Sequence, residues 1–246
     1  MQFSLKPCLV PPRLRPLIYS AAWLNTEIQF GDTLLPVFGH PFIVFKITEE
    51  KSNPVALLIP EEELPVPCGF HSGNNTCFII LLPYHFQRLL KTIKPAIRSV
   101  TTFPPGTPEK VLATAVMEMV AGYLLSSFQQ LKSRAMEEAL TLIEDNGGKI
   151  SVKDIAHRLH RSERQLRRQF NHLTGYPPKN ILRLQQLKAT WLLISQGMPA
   201  ERALYSLGYY DFSHFSKNTV ALMHRKPAAI IADKACLHAI HVLHHP

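Results

Sequence analysis

The 246-residue chain has few cysteines, few acidic residues and no apolar run long enough to span a membrane. The cysteines form no CxxC pair and have no histidine at zinc-finger spacing, which favours free thiols in a reducing compartment. They are Cys8, Cys68, Cys77 and Cys236. No charged start followed by an apolar segment marks a signal peptide. We therefore expect a cytoplasmic protein that makes no contact with a membrane.

The sequence also lacks the motifs of common catalytic sites. It contains no Gly-rich phosphate loop, no GxSxG turn, no HExxH motif and no paired carboxylates. His40, His71 and His85 lack the close His-x-His pair that a cupin-like metal site uses. The C-terminal histidines are typical of a frayed tail; they are His238, His241, His244 and His245. We expect neither an enzyme nor a bound metal or other cofactor.

Charge is unevenly distributed along the chain. Residues 1–132 contain 11 Lys and Arg and 9 Asp and Glu, a net charge of +2, whereas residues 133–246 contain 16 and 9, a net charge of +7. Nine of the twelve histidines also lie in the second part. A basic excess confined to one region indicates that this region meets a polyanion such as nucleic acid.

The first 100 residues have the pattern of a β-rich domain. Short apolar segments alternate with Gly- and Pro-containing turns, which is typical of a small β-sandwich or partial barrel. The predicted strands are Ala21–Phe30, Thr33–Phe38, Phe42–Thr48, Val55–Ile59 and Cys77–Leu82. Four aromatic residues are expected in the core, although they also suit the wall of a ligand pocket; they are Trp23, Phe42, Phe45 and Phe78.

Residues 101–133 separate this domain from the rest of the chain. Thr101–Pro108 contains three prolines and a glycine and is typical of a linker. Glu109–Ser133 then places apolar residues at helical spacing over many turns. This stripe either packs on the β-rich domain or forms the seam of a homodimer, and periodicity does not choose between the two.

The segment from Ser162 to Phe170 has the pattern of an amphipathic helix with a basic face. Ser162 is a suitable N-cap, Leu166 and Phe170 recur at the spacing of a buried face, and Gly175 ends the helix. The opposite face carries Arg164, Gln165, Arg167 and Arg168. Guanidinium and amide groups of this kind read guanine and adenine edges in the major groove of DNA. A solvated basic face on an ordinary helix is the alternative.

A shorter helix, capped by Ser151, is predicted just before this segment, with Ile155, Ala156 and Leu159 as its buried face. A helix, a tight turn and a basic helix together make a helix-turn-helix pattern. The apolar spacing returns 48 residues later in a second copy of the pattern. That copy consists of Ala203, Leu204 and Leu207, a turn at Gly208, an N-cap at Asp211 and a helix over Phe212–Met223.

A helix from Asn180 to Gln196 joins the two copies. Its 17 residues correspond to about 25 Å at a rise of about 1.5 Å per residue. Successive major grooves on one side of a duplex lie about 34 Å apart. Two recognition helices at the ends of this linker helix can therefore enter successive grooves.

Four motifs occur together in the second half of the chain. They are Ile155-Ala156, Ser162-Glu163-Arg164-Gln165-Leu166-x-Arg168-x-Phe170, Gly175-x-x-Pro178-Lys179, and Leu207-Gly208-Tyr209-x-Asp211-x-Ser213-His214-Phe215. With these motifs, the range Met136–Ile231 resembles the AraC/XylS family of transcription regulators. The sequences of the motifs are most similar to those of the subgroup with a small β-rich N-terminal domain of uncharacterised ligand.

The resemblance implies a set of DNA-contacting residues by position. Base contacts are implied for Arg164, Gln165, Arg167 and Arg168 in the first unit, and for Phe212, Ser213, His214 and Lys217 in the second. Phosphate contacts are implied for Arg161, Ser162, Lys179, Arg183 and Arg202. A solvated surface charge is the alternative for each of these cations, and packing or a phosphate contact is favoured over base reading for His214.

The sequence departs from the family pattern mainly in the second unit. Leu204 stands in place of the usual small residue, Thr219 in place of phenylalanine and His224 in place of glycine. In the linker helix, Gln186 replaces an arginine and Thr190 an alanine. We expect Leu204 to push the second recognition helix outward and Thr219 to remove an apolar anchor, so the first unit, residues 162–171, should dominate base reading.

The sequence thus predicts an α+β protein of two domains. The N-terminal domain is a small β-barrel or sandwich with helices, and the C-terminal domain is an all-α double helix-turn-helix with a long linker helix. The boundaries are 1–100 for the β-rich sensor domain, 101–133 for the linker and amphipathic helix, 134–232 for the DNA-binding domain, and 233–246 for a tail.

The predicted function is sequence-specific regulation of transcription. The expected partners are double-stranded DNA, RNA polymerase, an unidentified small-molecule effector and a second copy of the chain. A signal at the N-terminal domain would change dimerisation or domain docking and so the population that binds DNA. The alternative is a ligand-binding or enzymatic β-domain with a degenerate DNA-binding unit.

Overall fold

A computed structural model describes residues 4–26, 38, 40–50, 53–58, 75–86, 101–104, 106–128 and 134–244. The described strands form one antiparallel sheet in the order β1-β2-β5-β3-β4-β6. They are β1 (Ser4–Cys8), β2 (Ser20–Thr26), β3 (Phe42–Glu50), β4 (Asn53–Leu58), β5 (Asn75–Leu81) and β6 (Thr101–Thr102). The sheet is small and is not closed into a barrel, and the two-domain α+β architecture is confirmed.

The strand predictions agree with the sheet in four places. β2, β3, β4 and β5 each overlap a predicted strand, while residues 33–37 of the predicted strand Thr33–Phe38 lie outside the described part of the chain. β1, near the start of the chain, pairs with β2 in antiparallel register. Thr101–Thr102, predicted as linker, pairs with β4 as the edge strand.

Nine α-helices follow in the described part of the chain. They are α1 (Glu109–Phe128), α2 (Arg134–Asp145), α3 (Val152–Arg158), α4 (Glu163–Thr174), α5 (Pro178–Ser195), α6 (Ala200–Ser206), α7 (Phe212–Met223), α8 (Pro227–Ala232) and α9 (Lys234–His244). Helices α3 and α4 form the first helix-turn-helix unit, α6 and α7 form the second, and α5 joins them.

Both faces of the sheet are covered by helices, because side chains alternate between the faces along each strand. On β5, Phe78 and Ile80 pack in the cluster that contains α1, whereas Ile79 and Leu81 pack in the cluster that contains α9. All four side chains are fully buried. A strand buried on both faces is apolar at every position, which explains the continuous run Phe78–Leu82.

Helix α1 uses its apolar stripe to pack on the sheet. Leu112, Val116, Val120 and Leu124 are buried in one cluster with the core aromatics of the sheet. Of the four aromatics predicted for the core, Trp23, Phe45 and Phe78 are in this cluster, and Phe42 is partly buried on the opposite face. The apolar stripe of α1 therefore packs on the sheet of its own chain. Val111 and Leu125 of the same helix are exposed.

The prediction of a frayed C-terminal tail is wrong. The segment forms α9, whose Ala239, Val242 and Leu243 lie against the second face of the sheet while Cys236 and Ile240 face the second helix-turn-helix unit. The His238 ring nitrogen Nε2 also lies 3.1 Å from the carbonyl oxygen of Leu5. The physical reason is burial: an otherwise open apolar face of the sheet is covered by this helix.

Helix α5 supplies the cores of both helix-turn-helix units. Ile181 and Leu184 near its start are buried with α2, α3 and α4, whereas Leu187, Trp191 and Ile194 are buried with α6, α7 and α9. All five of these apolar side chains are buried. The helix begins at Pro178, two residues before the predicted start, because proline is favoured in a first helical turn.

The 48-residue repeat is visible in the backbone of the two turns. Arg161 donates its backbone N–H to the carbonyl of Ala156 at 2.9 Å, and Tyr209 donates to Leu204 at the same distance. His160 and Gly208 occupy equivalent positions with φ of 51° and 80°. Both turns therefore need a left-handed residue, and only the second has the glycine that adopts this conformation without strain.

We predict opposite effects for two Gly→Ala changes. Gly208→Ala should lower the free energy of unfolding by about 1 kcal/mol, because an alanine in the left-handed region is strained. Gly122→Ala, in the middle of α1 with open space around the new Cβ atom, should raise it by about 1 kcal/mol. Urea unfolding of both variants checks this, and two changes of the same sign would contradict it.

Candidate nucleic-acid interface

The first recognition helix, α4, begins at a complete capping box. The Ser162 hydroxyl accepts the backbone N–H of Gln165 at 3.2 Å, and the Gln165 side-chain oxygen accepts the backbone N–H of Ser162 at 3.0 Å. Such reciprocal bonds satisfy two backbone donors and fix where the helix starts. The predicted N-cap is confirmed, and so are the caps of the other two helices, Ser151 before α3 and Asp211 before α7.

The cap also changes what two predicted contact residues can do. Gln165 uses its side-chain oxygen in the capping box, so it does not offer the free amide that a bidentate adenine contact needs. Ser162 uses its hydroxyl lone pair for the same cap. Both side chains stay exposed, and their contact with DNA remains a prediction.

The arginines of α4 are exposed on one side while Leu166, Phe170 and Leu173 are buried on the other. Arg167 forms an ion pair with Glu163, one turn earlier, with 2.9 Å between Nη2 and Oε2. Arg164 and Arg168 make no hydrogen bond or ion pair with another described residue. Their guanidinium groups are thus the ones available to a duplex without breaking a contact within the chain.

The second recognition helix, α7, presents a different chemistry. Asp211 caps it through a 2.7 Å bond from the His214 backbone N–H. Phe212 is 51% exposed and Tyr210 is 87% exposed, which leaves two aromatic rings beside the helix start. Ser213, His214 and Lys217 are exposed as well. The face therefore combines aromatic and polar groups with a single lysine, against three arginines in the first unit.

The residues predicted to contact phosphates are all exposed; they are Arg161, Ser162, Lys179, Arg183 and Arg202. Lys179 lies in the first turn of α5, and Arg202 lies on α6. Arg183 differs from the others because its Nη2 atom donates to the Oδ1 atom of Asn218 on α7 at 2.6 Å. A contact within the protein is thus the role that the structure gives Arg183.

The departures from the family pattern leave the second unit closed. Leu204 is 1% exposed and shares a cluster with Trp191 and Phe215. Thr219 is fully buried, and its hydroxyl oxygen has no hydrogen-bond partner among the described residues. His224 adopts the left-handed conformation at the end of α7, with φ of 53°. The unit thus keeps its core, with a local cost at Thr219 and at His224.

A family model described as a helix-turn-helix domain matches residues 155–232, which run from within α3 through the rest of both units and the helix between them. These residues are an AraC-type helix-turn-helix domain. A domain of this type supports DNA binding and regulation of transcription as the function. The match ends just before α9, so the AraC-type domain does not include the helix that covers the sheet.

A comparison with curated protein sequences found no match. Among solved structures, ToxT from Vibrio cholerae is similar over nearly the whole chain. One ToxT structure at 11% identity covers 94% of this chain and 98% of that chain with a TM-score of 0.44. Another, bound to (E)-4-(8-methylnaphthalen-1-yl)but-3-enoic acid, has 12% identity, coverage of 98% and 100%, and a TM-score of 0.46. A third, bound to an unsaturated fatty acid, has 11% identity, coverage of 93% and 94%, and a TM-score of 0.45.

A buried polar cluster connects the AraC-type domain to the sheet. Its centre is Lys188 on α5, which is 4% exposed and lies among the apolar positions of that helix. The Nζ atom donates to the Tyr19 hydroxyl at 3.1 Å and to Glu144 at 3.4 Å, and lies 3.4 Å from Nε2 of His40. The His40 ring is stacked between Tyr19 and Tyr84, with centroid distances of 4.1 and 4.0 Å.

The protonation of this cluster follows from its burial. Burial, with the nearby ammonium group of Lys188 and His244 as further causes, lowers the pKa of His40. Its Nδ1 lies 3.0 Å from the Leu82 carbonyl, so a neutral ring donates there and offers Nε2 to the lysine. Burial lowers the pKa of Lys188 to about 8, against the opposing effect of Glu144. Sequence reasoning missed this lysine, although a lone cation within an apolar helical stripe was a usable signal.

A cavity of about 640 Å³ adjoins the cluster. Its wall is formed by the end of β1, by residues 18–21, by α2 and by Val242 of α9. Tyr19, His40 and Glu144 are among its lining residues. Ser20 also lines it, is 5% exposed, and has a hydroxyl oxygen without a hydrogen-bond partner among the described residues. Trp23, Phe45 and Phe78 lie in the core, as expected, and not in the wall of this cavity.

Two findings concern the expectations that the protein binds no metal and does not contact a membrane. Within the described ranges, no three His, Cys, Asp or Glu side chains are grouped so that they could hold a metal ion. His71 and the side chain of His85 lie outside the described part of the chain. No helix among the described residues has the length and apolar character that crossing a bilayer requires.

We predict that Lys188→Met removes a pH dependence of stability. Because the folded-state pKa of about 8 is below the ordinary value of 10.5, the unfolded chain binds more protons between these values. Stability of the wild-type protein should therefore rise through this window, by on the order of 1–3 kcal/mol relative to the variant. Urea unfolding at about pH 8 and at about pH 10.5, the two ends of this window, measures the difference. Lys217→Met, at an exposed lysine, is the control, and parallel curves for wild type and Lys188→Met would refute the prediction.

Proposed function

We propose that the protein regulates transcription by reading two successive major grooves, one with α4 and one with α7, and that α4 supplies most of the base specificity. The observation that supports this is the exposure of all eight predicted base-contact side chains on two capped helices. The residues are Arg164, Gln165, Arg167, Arg168, Phe212, Ser213, His214 and Lys217. The net charge of +7 over residues 133–246 suits a phosphate backbone.

The difference in base specificity that we propose between the two units rests on their exposed side chains. Arg164 and Arg168 present planar guanidinium forks, which match the two acceptors of a guanine edge. The second helix offers Phe212, which suits a thymine methyl group, and Lys217, which suits a phosphate or a base. Bidentate contacts discriminate among bases better than single contacts, and we therefore assign the dominant role to α4.

We predict that Arg168→Lys weakens specific binding and leaves non-specific binding nearly unchanged. The change keeps the charge but removes the fork, and a bidentate arginine–guanine contact is worth about 1–3 kcal/mol of discrimination. Sites are first selected from random DNA with the full-length protein. Mobility shift of a selected site and of unrelated DNA then measures both affinities, and Arg134→Lys on α2 is the matched control.

Two outcomes would contradict this prediction. Equal losses of affinity on both DNAs would show that Arg168 contacts the phosphate backbone only. Equal and weak binding of the wild-type protein to all DNAs would favour the alternative of a β-domain protein with a degenerate DNA-binding unit.

Contact with RNA polymerase and formation of a homodimer remain predictions from the sequence.

We further propose that the cavity beside Lys188 binds the small-molecule signal. A cavity of about 640 Å³ is in the range of ligand sites, which run from about 300 to 1,000 Å³. Tyr19, His40 and Glu144 line the cavity together with Ile18, Leu140 and Val242, so its wall offers both polar and apolar contacts. The site suits a mostly apolar molecule with one hydrogen-bonding group.

N-phenyl-1-naphthylamine, an uncharged fluorescent probe of that description, tests the cavity. We predict saturable binding at one probe per chain, weakened about 10-fold or more by Thr141→Trp, which places an indole in the cavity from its exposed wall on α2. Val111→Ser removes an exposed apolar side chain elsewhere and should leave binding unchanged. Binding that responds to Val111→Ser but not to Thr141→Trp would refute the assignment.

A further inference from the structure

The turn that leads into the second recognition helix is held by donors from outside its own unit. The Lys149 Nζ atom donates to the carbonyl of Ser206 at 2.8 Å, and the Gln186 Nε2 atom donates to the carbonyl of Leu207 at 2.8 Å. These carbonyls end α6 and have no partner within that helix. Lys149 precedes the first unit and Gln186 lies in α5, so two separate segments fix one turn.

A third contact reaches the recognition helix itself. Arg183 on α5 donates to Asn218 on α7 at 2.6 Å. Asn218 is 4% exposed, and its amide nitrogen lies 3.3 Å from Nε2 of His214. His214 is exposed and is one of the predicted base-contact residues. Arg183 is therefore connected, through one buried amide, to a side chain on the DNA-facing side of α7.

The loop before the first unit is packed tightly enough to make these contacts rigid. A Cβ atom added at Gly148 would lie 2.4 Å from the carbonyl oxygen of Leu182 and 2.7 Å from the backbone nitrogen of Gln186. A Cβ atom at Gly147 would lie 2.8 Å from the Cδ1 atom of Leu207. Only glycine allows this approach. The loop, the middle of α5 and the turn of the second unit thus meet directly.

We infer that Lys149, Arg183 and Gln186 are positioning residues that fix the second recognition helix relative to the first and so set the separation of the two DNA segments read. This inference rests on the proposed function, because it requires both units to bind one duplex. Two sites held in a fixed relation gain affinity from preorganisation, whereas each site alone does not depend on that relation. Loosening the junction should therefore weaken binding to two segments and spare binding to one.

Direct contact with DNA is the competing role, especially for Arg183, which is an expected phosphate contact by family position. A lost phosphate contact weakens binding to all sequences and lowers the slope of log affinity against log salt by about 1. A lost positioning contact leaves that slope unchanged and makes the protein tolerant of altered spacing. The two roles therefore predict different slopes of log affinity against log salt, and folding stability does not affect this slope.

The experiment uses the full-length protein and three duplexes derived from a selected site. One keeps both segments, one has a single base pair inserted between them, and one has the second segment scrambled. Gln186→Met keeps the size of the side chain but removes the donor, and Arg183→Met removes both fork and charge. Gln196→Met, an exposed change at the end of α5, is the matched control. Thermal unfolding identifies any variant that is not folded.

We expect Gln186→Met and Arg183→Met to bind the intact site about 5-fold or more weakly, since one hydrogen bond is worth about 1 kcal/mol. Affinity for the scrambled site should stay within about 2-fold, the penalty for the inserted base pair should shrink, and the salt slope should be unchanged. Equal losses on all three duplexes, or a lower salt slope, would overturn the inference while leaving the proposed function intact. If the wild-type protein does not distinguish the intact from the scrambled site, two-groove reading and this inference both fail.

Discussion

Helix α5 is the element on which the rest of the molecule depends, because almost every part of its surface is in contact with something else. Its apolar side chains divide between the cores of the two helix-turn-helix units, with Ile181 and Leu184 in one and Trp191 in the other. Its polar side chains make the remaining connections: Gln186 to the second unit and Lys188 to the sheet. A rotation or shift of this helix would disturb all of these contacts together, so the parts they connect cannot move independently.

The link from α5 to the N-terminal sheet has an apolar and a polar component. Helix α9 provides the apolar one, since its two sides are buried against the sheet and against the second unit. Burial of each valine, leucine or isoleucine side chain among them contributes about 1.5–3 kcal/mol. The Lys188 cluster provides the polar one, and a buried ammonium group is stabilising only while its partners stay in place. The apolar contacts therefore hold the domains together, and the cluster adds polar contacts that depend on the same arrangement.

The features that the sequence predicted well are those set by neighbouring residues. Ser162 and Asp211 cap helices because a side-chain oxygen reaches a backbone N–H three residues later, and Gly175 ends a helix because glycine adopts a positive φ. The repeat of the helix-turn-helix unit could be read for the same reason. The exposed arginines of α4 followed from helical periodicity, which places them opposite Leu166 and Phe170.

The features that the sequence did not reveal depend on residues far apart in the chain. Lys188 meets Tyr19 and His40 across separations of 169 and 148 residues, and no local pattern encodes such a meeting. The apolar positions of α9 were present in the sequence, but its histidines and terminal location favoured a frayed tail. The helix is ordered because it covers the second face of the sheet, and that face exists only once the strands have paired.

The two helix-turn-helix units also differ in how they are stabilised. Both turns are closed by the same backbone bond, Arg161 to Ala156 in the first and Tyr209 to Leu204 in the second, but only the first recognition helix begins at a complete capping box. The second contains a buried hydroxyl without a partner at Thr219, among the described residues, and a strained C-terminus at His224. Each costs on the order of 1 kcal/mol or more. The second unit is weakened at Thr219 and His224 and gains hydrogen bonds from Lys149 and from α5. Its orientation therefore depends on these neighbours. The N-terminal domain contacts α5 as well, through Lys188.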